Sequence, residues 1–172
     1  NFDTAEKSGF MNDGLMEFLG QGFISAPAST ANSLHNAFEG GLIAHLLLTT
    51  KYAVSINGTL PDSMKVDTAS LIKVCLLHQI GKANLYSDDV EAWQTKKGIN
   101  YKFNNSLVSM SVGERSAYYA LSNGVSLTDT EYQAIVNHDK DETDKQAKWH
   151  SETLGVILKQ ANELAIMEEK SK

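Results

Sequence analysis

The chain has 172 residues, about one domain's worth and long enough to bury a core without metals or disulfides. Fifteen Lys plus Arg against 21 Asp plus Glu leave a formal net charge of −6, so no basic footprint suits a nucleic-acid backbone. No apolar run approaches the ~18 residues of a membrane span, and the single cysteine, Cys75, cannot form an internal disulfide.

In chain order, apolar residues recur at helical spacing, and alternating strand patterns are scarce, which predicts an all-α protein. A first helix is expected over residues 9–19, with Phe10, Met11, Leu15, Phe18 and Leu19 on one side. Residues 20–36 read as a loop. A second helix is expected over residues 38–54, carrying Phe38, Leu42, His45 and Thr49 on one ridge and broken by Asn57-Gly58. A third runs from an Asp67 N-cap to Ile80, with Gly81 as its stop. It is apolar nearly all round and contains Cys75 as a core thiol, marking the central helix. A small hairpin is expected within residues 93–103, and a helix over residues 111–122. Thr128-Asp129-Thr130-Glu131 fits a capping box feeding a helix to His138. Residues 139–148 read as a solvated charged loop; Asp139, Asp141, Glu142 and Asp144 lack the glycine and closing glutamate of a calcium loop. The last helix is expected over residues 150–168, with Trp149 and His150 at its start. Residues 1–22 form a lead-in and 23–172 the main body of one compact domain.

Three histidines, His45, His78 and His138, lie on faces that ought to be core. Burying an imidazole without a partner costs on the order of 1–3 kcal/mol, so each needs a hydrogen bond or a metal. A lone case reads as a satisfied core histidine. Three on separate helices point to a shared polar pocket at the helix crossing.

The blocks Phe23-Ile24-Ser25-Ala26-Pro27-Ala28-Ser29-Thr30, His35-Asn36-Ala37-Phe38-Glu39-Gly40-Gly41-Leu42-Ile43-Ala44-His45 and His78-Gln79-Ile80-Gly81-Lys82-Ala83 are followed by Gly113-Glu114-Arg115-Ser116, Asn137-His138 and Ala161-Asn162-Glu163-Leu164. In this order the chain resembles a bacterial and phage branch of the HD-domain metal-dependent phosphohydrolases. The resemblance implies a single-domain helical bundle whose core holds one or two divalent ions. His45 matches the family's first ligand, His78 the histidine of its His-Asp pair, and His138 a later additional histidine. Gln79 stands where the paired aspartate belongs, Asn162 where the final aspartate belongs, and Val112 where this branch has another histidine. Both amide replacements remove negative charge. The resemblance therefore implies a domain that has lost hydrolysis and acts by binding or in assembly. No cofactor is then expected, and Gln79 and Asn162 hydrogen-bond the histidines directly. The alternative is an active phosphohydrolase on a nucleotide or phosphoester, with His45, His78 and His138 holding Mn, Fe, Ni, Co or Zn.

Around the centre, Lys82 reads either as a phosphate contact and catalytic candidate or as a cation on a helix C-terminus. Glu114 and Arg115 read as a pair beside the family's site or as a surface ion pair. His35 reads as lining the pocket mouth or as a loop histidine. With Gln79 and Asn162 these residues make up the expected ligand pocket. The implied partner is a protein or a small phosphorylated ligand, with self-association open and neither nucleic acid nor membrane involved. The implied setting is the cytoplasm of a bacterial or phage-infected cell, with virion association a further expectation.

Overall fold

The computed structural model describes residues 11–140 and 151–172. Its fold is all-α: seven helices among the described residues, with one two-stranded ribbon.

Helix α1 spans Asp13–Ser25. The Asn12 side chain caps it by accepting from the Leu15 N–H at 2.7 Å. Residues 9 and 10 of the expected 9–19 helix, Phe10 among them, lie outside the described residues; at its other end α1 runs beyond residue 19 into the expected loop as far as Ser25. Gly20, at φ 56°, is the reason: its left-handed backbone breaks the axis and lets the helix resume, placing Leu15, Leu19 and Phe23 in the core. The boundary expected between residues 22 and 23 falls inside α1, whose Leu15, Leu19 and Phe23 share one core cluster.

Helix α2 spans Gly41–Thr59, not 38–54. Gly40 precedes it in a left-handed conformation at φ 78°, and a Cβ on Gly41 would collide with the Asn36 carbonyl. The loop at 35–36 is thereby drawn tightly against the helix start. Phe38 falls outside the helix and is 53% exposed, whereas Leu42, His45 and Thr49 are fully buried. Asn57 does not break the helix. Its buried amide donates to the Val66 carbonyl at 3.1 Å and accepts the Val66 N–H at 3.0 Å, closing the connection to the next helix.

Helix α3 spans Thr68–Leu77 with Asp67 as its N-cap, accepting from the Ser70 N–H at 3.0 Å. It ends before the expected Ile80, and a short 3-10 helix, Ile80–Lys82, follows. Strand β1 (Tyr86–Ser87) pairs antiparallel with β2 (Lys102–Phe103), with Tyr86 opposite Phe103. The expected hairpin within 93–103 is thus replaced by a wider ribbon. Trp93 lies on helix α4, Ala92–Lys96, which the reciprocal Glu91–Gln94 capping box initiates.

Helix α5 spans Val112–Ser122 and α6 spans Asp129–Asn137, each opened by a full capping box, Ser111–Glu114 and Thr128–Glu131. Helix α7 runs Thr153–Lys170; the expected start at His150 lies outside the described residues, as do Trp149, Asp141, Glu142 and Asp144. Helix α2 packs along α7 and α3, α5 packs on the 3-10 turn and α6, and α6 packs on α7. Leu42, Leu46, Leu71, Leu77, Ile135 and Leu158 meet in one apolar cluster. Each such side chain contributes about 1.5–3 kcal/mol on burial. Among the described residues, no helix is long and apolar enough to cross a membrane.

Candidate functional site

Four histidines form a buried chain across the bundle. Ring centroids are 4.7 Å apart for His35–His45, 6.1 Å for His45–His78 and 4.8 Å for His78–His138. The expected convergence of His45, His78 and His138 is present in the structure, and His35 extends it. His35 sits in the loop before α2, where the Ser29 hydroxyl donates to its carbonyl.

His78 and His138 occupy equivalent places, at the C-caps of α3 and α6. Each sets its Nδ1 2.7 Å from the carbonyl three residues earlier, Cys75 and Ile135 respectively. A carbonyl only accepts, so Nδ1 carries the hydrogen in both rings. Burial holds His78 well below the usual imidazole pKa, assisted by the charges of His138 and His45. Burial also lowers His138, against the opposing charge of Asp139. Both rings are neutral near pH 7, so each keeps its lone pair on Nε2.

His45 differs. Its Nδ1 lies 2.9 and 3.1 Å from the two oxygens of Glu169, and its Nε2 lies 2.7 Å from Asn162 Oδ1. Both nitrogens face acceptors, so each must present a hydrogen or meet a cation. Asn162 Oδ1 is the hub of this centre. Besides His45 it accepts from Gln79 Nε2 at 3.3 Å, and His78 Nε2 stands 3.3 Å away. Gln79 Oε1 is the one buried side-chain polar atom among the described residues without a hydrogen-bond partner.

Glu169 completes the centre, accepting from His35 Nδ1 at 2.8 Å. Burial pushes its carboxyl up, but the hydrogen bonds from His35 and His45, with their charges, outweigh this and leave it at about 2. His35, His45 and Glu169 are a buried cluster able to hold a metal ion. Glu169 escaped the sequence reading because Glu168-Glu169 looks like the solvated end of a helix. Its signal was the stripe Leu158, Asn162, Ala165, Glu169, which keeps one face of α7 inward.

Of the remaining expected pocket residues, Lys82 stays close enough for its charge to oppose protonation of His35 and His138, whereas Glu114 and Arg115 are engaged elsewhere. Lys82 is buried, but its Nζ donates to the Ala28 carbonyl at 2.6 Å, and burial pushes the amine down to about 8. Glu114 closes the capping box of α5, and its carboxylate is 3.8 Å from Lys140 rather than on Arg115. The Arg115 guanidinium donates to the Val108 carbonyl. Comparison of the chain with protein-family models, curated proteins and solved structures returns no match.

Proposed function

We propose that the chain is an HD-type helical domain that no longer performs metal-dependent phosphoester hydrolysis and acts by binding a protein partner. The observation that carries this reading is the neutral Asn162 amide at the centre of the histidines, with its oxygen 2.7 Å from His45 Nε2. The family's ion would need lone pairs and negative charge from His45, His78 and positions 79 and 162. Positions 79 and 162 offer only amides, and Asn162 Oδ1 already accepts from His45 and Gln79. A divalent ion there would have no anionic ligand from either position, so the charge balance that the family's two aspartates supply is missing. The residues present do not fit that ion. A neutral amide also cannot serve as the general base for water.

The two cations that would greet a phosphate, Lys82 and Arg115, are both held on backbone carbonyls. That favours a protein partner over a small phosphorylated ligand, and an assembly role in a bacterial or phage setting accords with it. The test is an assay on nucleotides and phosphomonoesters with Mn, Ni, Co and Zn. The expected result is no turnover above blank by the wild type. Gln79→Asp combined with Asn162→Asp is expected to raise metal uptake at the His45–His78 centre sharply from near zero. Turnover by the wild type that a chelator abolishes would overturn the reading.

A further inference from the structure

One edge of the histidine chain has what its middle lacks: a carboxylate. His35 Nδ1 and His45 Nδ1 lie 2.8 and 2.9 Å from the same Glu169 oxygen, and the three groups come from the loop before α2, from α2 and from the end of α7. The Nε2 of His45 is fixed on Asn162 Oδ1 at 2.7 Å. Ligating imidazoles are oriented by just such a hydrogen bond from the nitrogen that does not bind the metal. With the hydrogen on Nε2, the lone pair of His45 Nδ1 faces a carboxylate, and only a further proton or a cation between them relieves that contact.

We propose that His35, His45 and Glu169 form a divalent transition-metal site, with zinc the ion that best suits two imidazoles and one carboxylate. The ligand atoms already lie within 4.8 Å of one another. Tetrahedral zinc with bonds of ~2.0–2.1 Å spaces its ligand atoms ~3.3 Å apart, a few tenths of an ångström more than the two Nδ1–Glu169 separations of 2.8 and 2.9 Å. Glu169 supplies the anion that the Asn162-centred set lacks. The ion has a way in, because Glu169 also lines a cavity of about 490 Å³ bordered by Asn32, Leu34, Phe38 and Asn100. Three protein ligands leave one position of a tetrahedral ion open to water. The ion would staple the end of α7 to α2 and its preceding loop, and its uptake displaces any hydrogen that Nδ1 of either histidine carries into solution.

The test titrates the metal-free full chain with Co²⁺, read by its visible absorption and by proton release, and with Zn²⁺ in competition. One equivalent is expected per chain. His35→Ala and Glu169→Gln are expected to weaken binding at least ~100-fold, and Gln79→Ala less than ~3-fold, with circular dichroism confirming that each variant is folded. Paramagnetically shifted imidazole signals of the Co²⁺-loaded wild type need no variant, and are expected to show ligation through Nδ1. Absence of saturable uptake by the folded wild type overturns this site alone. Ligation through His45 Nε2 and His78 that survives His35→Ala overturns both this site and the proposed function.

Discussion

At the scale of single residues, the decisive feature is that the buried imidazoles differ in what each nitrogen faces. His78 and His138 each give Nδ1–H to a carbonyl of the turn before them. Such a bond can be anticipated only in kind, because helix-end geometry creates it. The three inward histidines were legible because they interrupt apolar faces at helical spacing. Glu169 was not, since a charged residue near a helix end is ordinarily solvated and only the fold reveals that α7 keeps it covered. Cys75 was legible as a core thiol, and burial pushes its pKa up to about 12. Its thiolate is therefore scarce in the folded protein. A thiol reagent at pH 8 is expected to leave Cys75 unmodified in native protein and to label it fully in denaturant. Rapid native labelling would contradict the packing of α3.

At the scale of elements, what was legible was local chemistry. The Asp67 cap and the box at Thr128–Glu131 are spelled within four residues, and each stands where expected; the box at Ser111–Glu114 is equally local and opens the helix expected over residues 111–122. What was not legible depends on partners far along the chain. The 86–103 pairing spans a whole helix, and residues 20–25, expected as loop, are carried on as helix past the positive φ of Gly20. The junction of α5 with α6 likewise depends on residues far apart in the chain. A Cβ on Gly113 would stand 2.5 Å from the Ile135 carbonyl oxygen and 2.8 Å from that of Val136. Backbone on one helix thus touches backbone on another, with no flexible side chain to give way. Gly113→Ala is expected to lower stability by about 1–3 kcal/mol, the usual cost of overpacking, read as a drop in the denaturation midpoint with unchanged m. Glu131 ties α6 to α3 beside this junction, accepting from Ser70 at 2.7 Å and pairing with Lys73 at 2.8 Å.

At the scale of the whole molecule, four helices and one loop converge on a polar centre inside an otherwise apolar bundle. The all-α class and one shared core follow from the helical periodicity, but the partition of that core into polar and apolar halves does not. The buried histidines make stability depend on pH with a definite sign. His78 and His138 are held below their unfolded value near 6.5, chiefly by burial, with His45 and each other, Asp139 and Lys82 as the charged groups around them. The unfolded chain therefore binds more protons than the folded one as pH falls through that value. Their contribution is present above about pH 6.5 and is lost on acidification, at up to about 1.4 kcal/mol per pH unit for each histidine. Urea midpoints measured between pH 7.5 and 5.5 are expected to hold level down to about pH 6.5 and to fall below it. A flat profile would mean that the rings are solvated or already charged.

The most direct measurement of how this centre is wired is the protonation of each histidine nitrogen, read by long-range proton–nitrogen NMR on labelled protein at neutral pH. The expected result is a hydrogen on His45 Nε2, pointing at Asn162, together with a bare Nε2 on His78. A bare Nε2 on His45 would contradict the account. It would mean that Asn162 presents its NH₂ group to the rings, or that His45 offers the centre the very lone pair a catalytic ion requires.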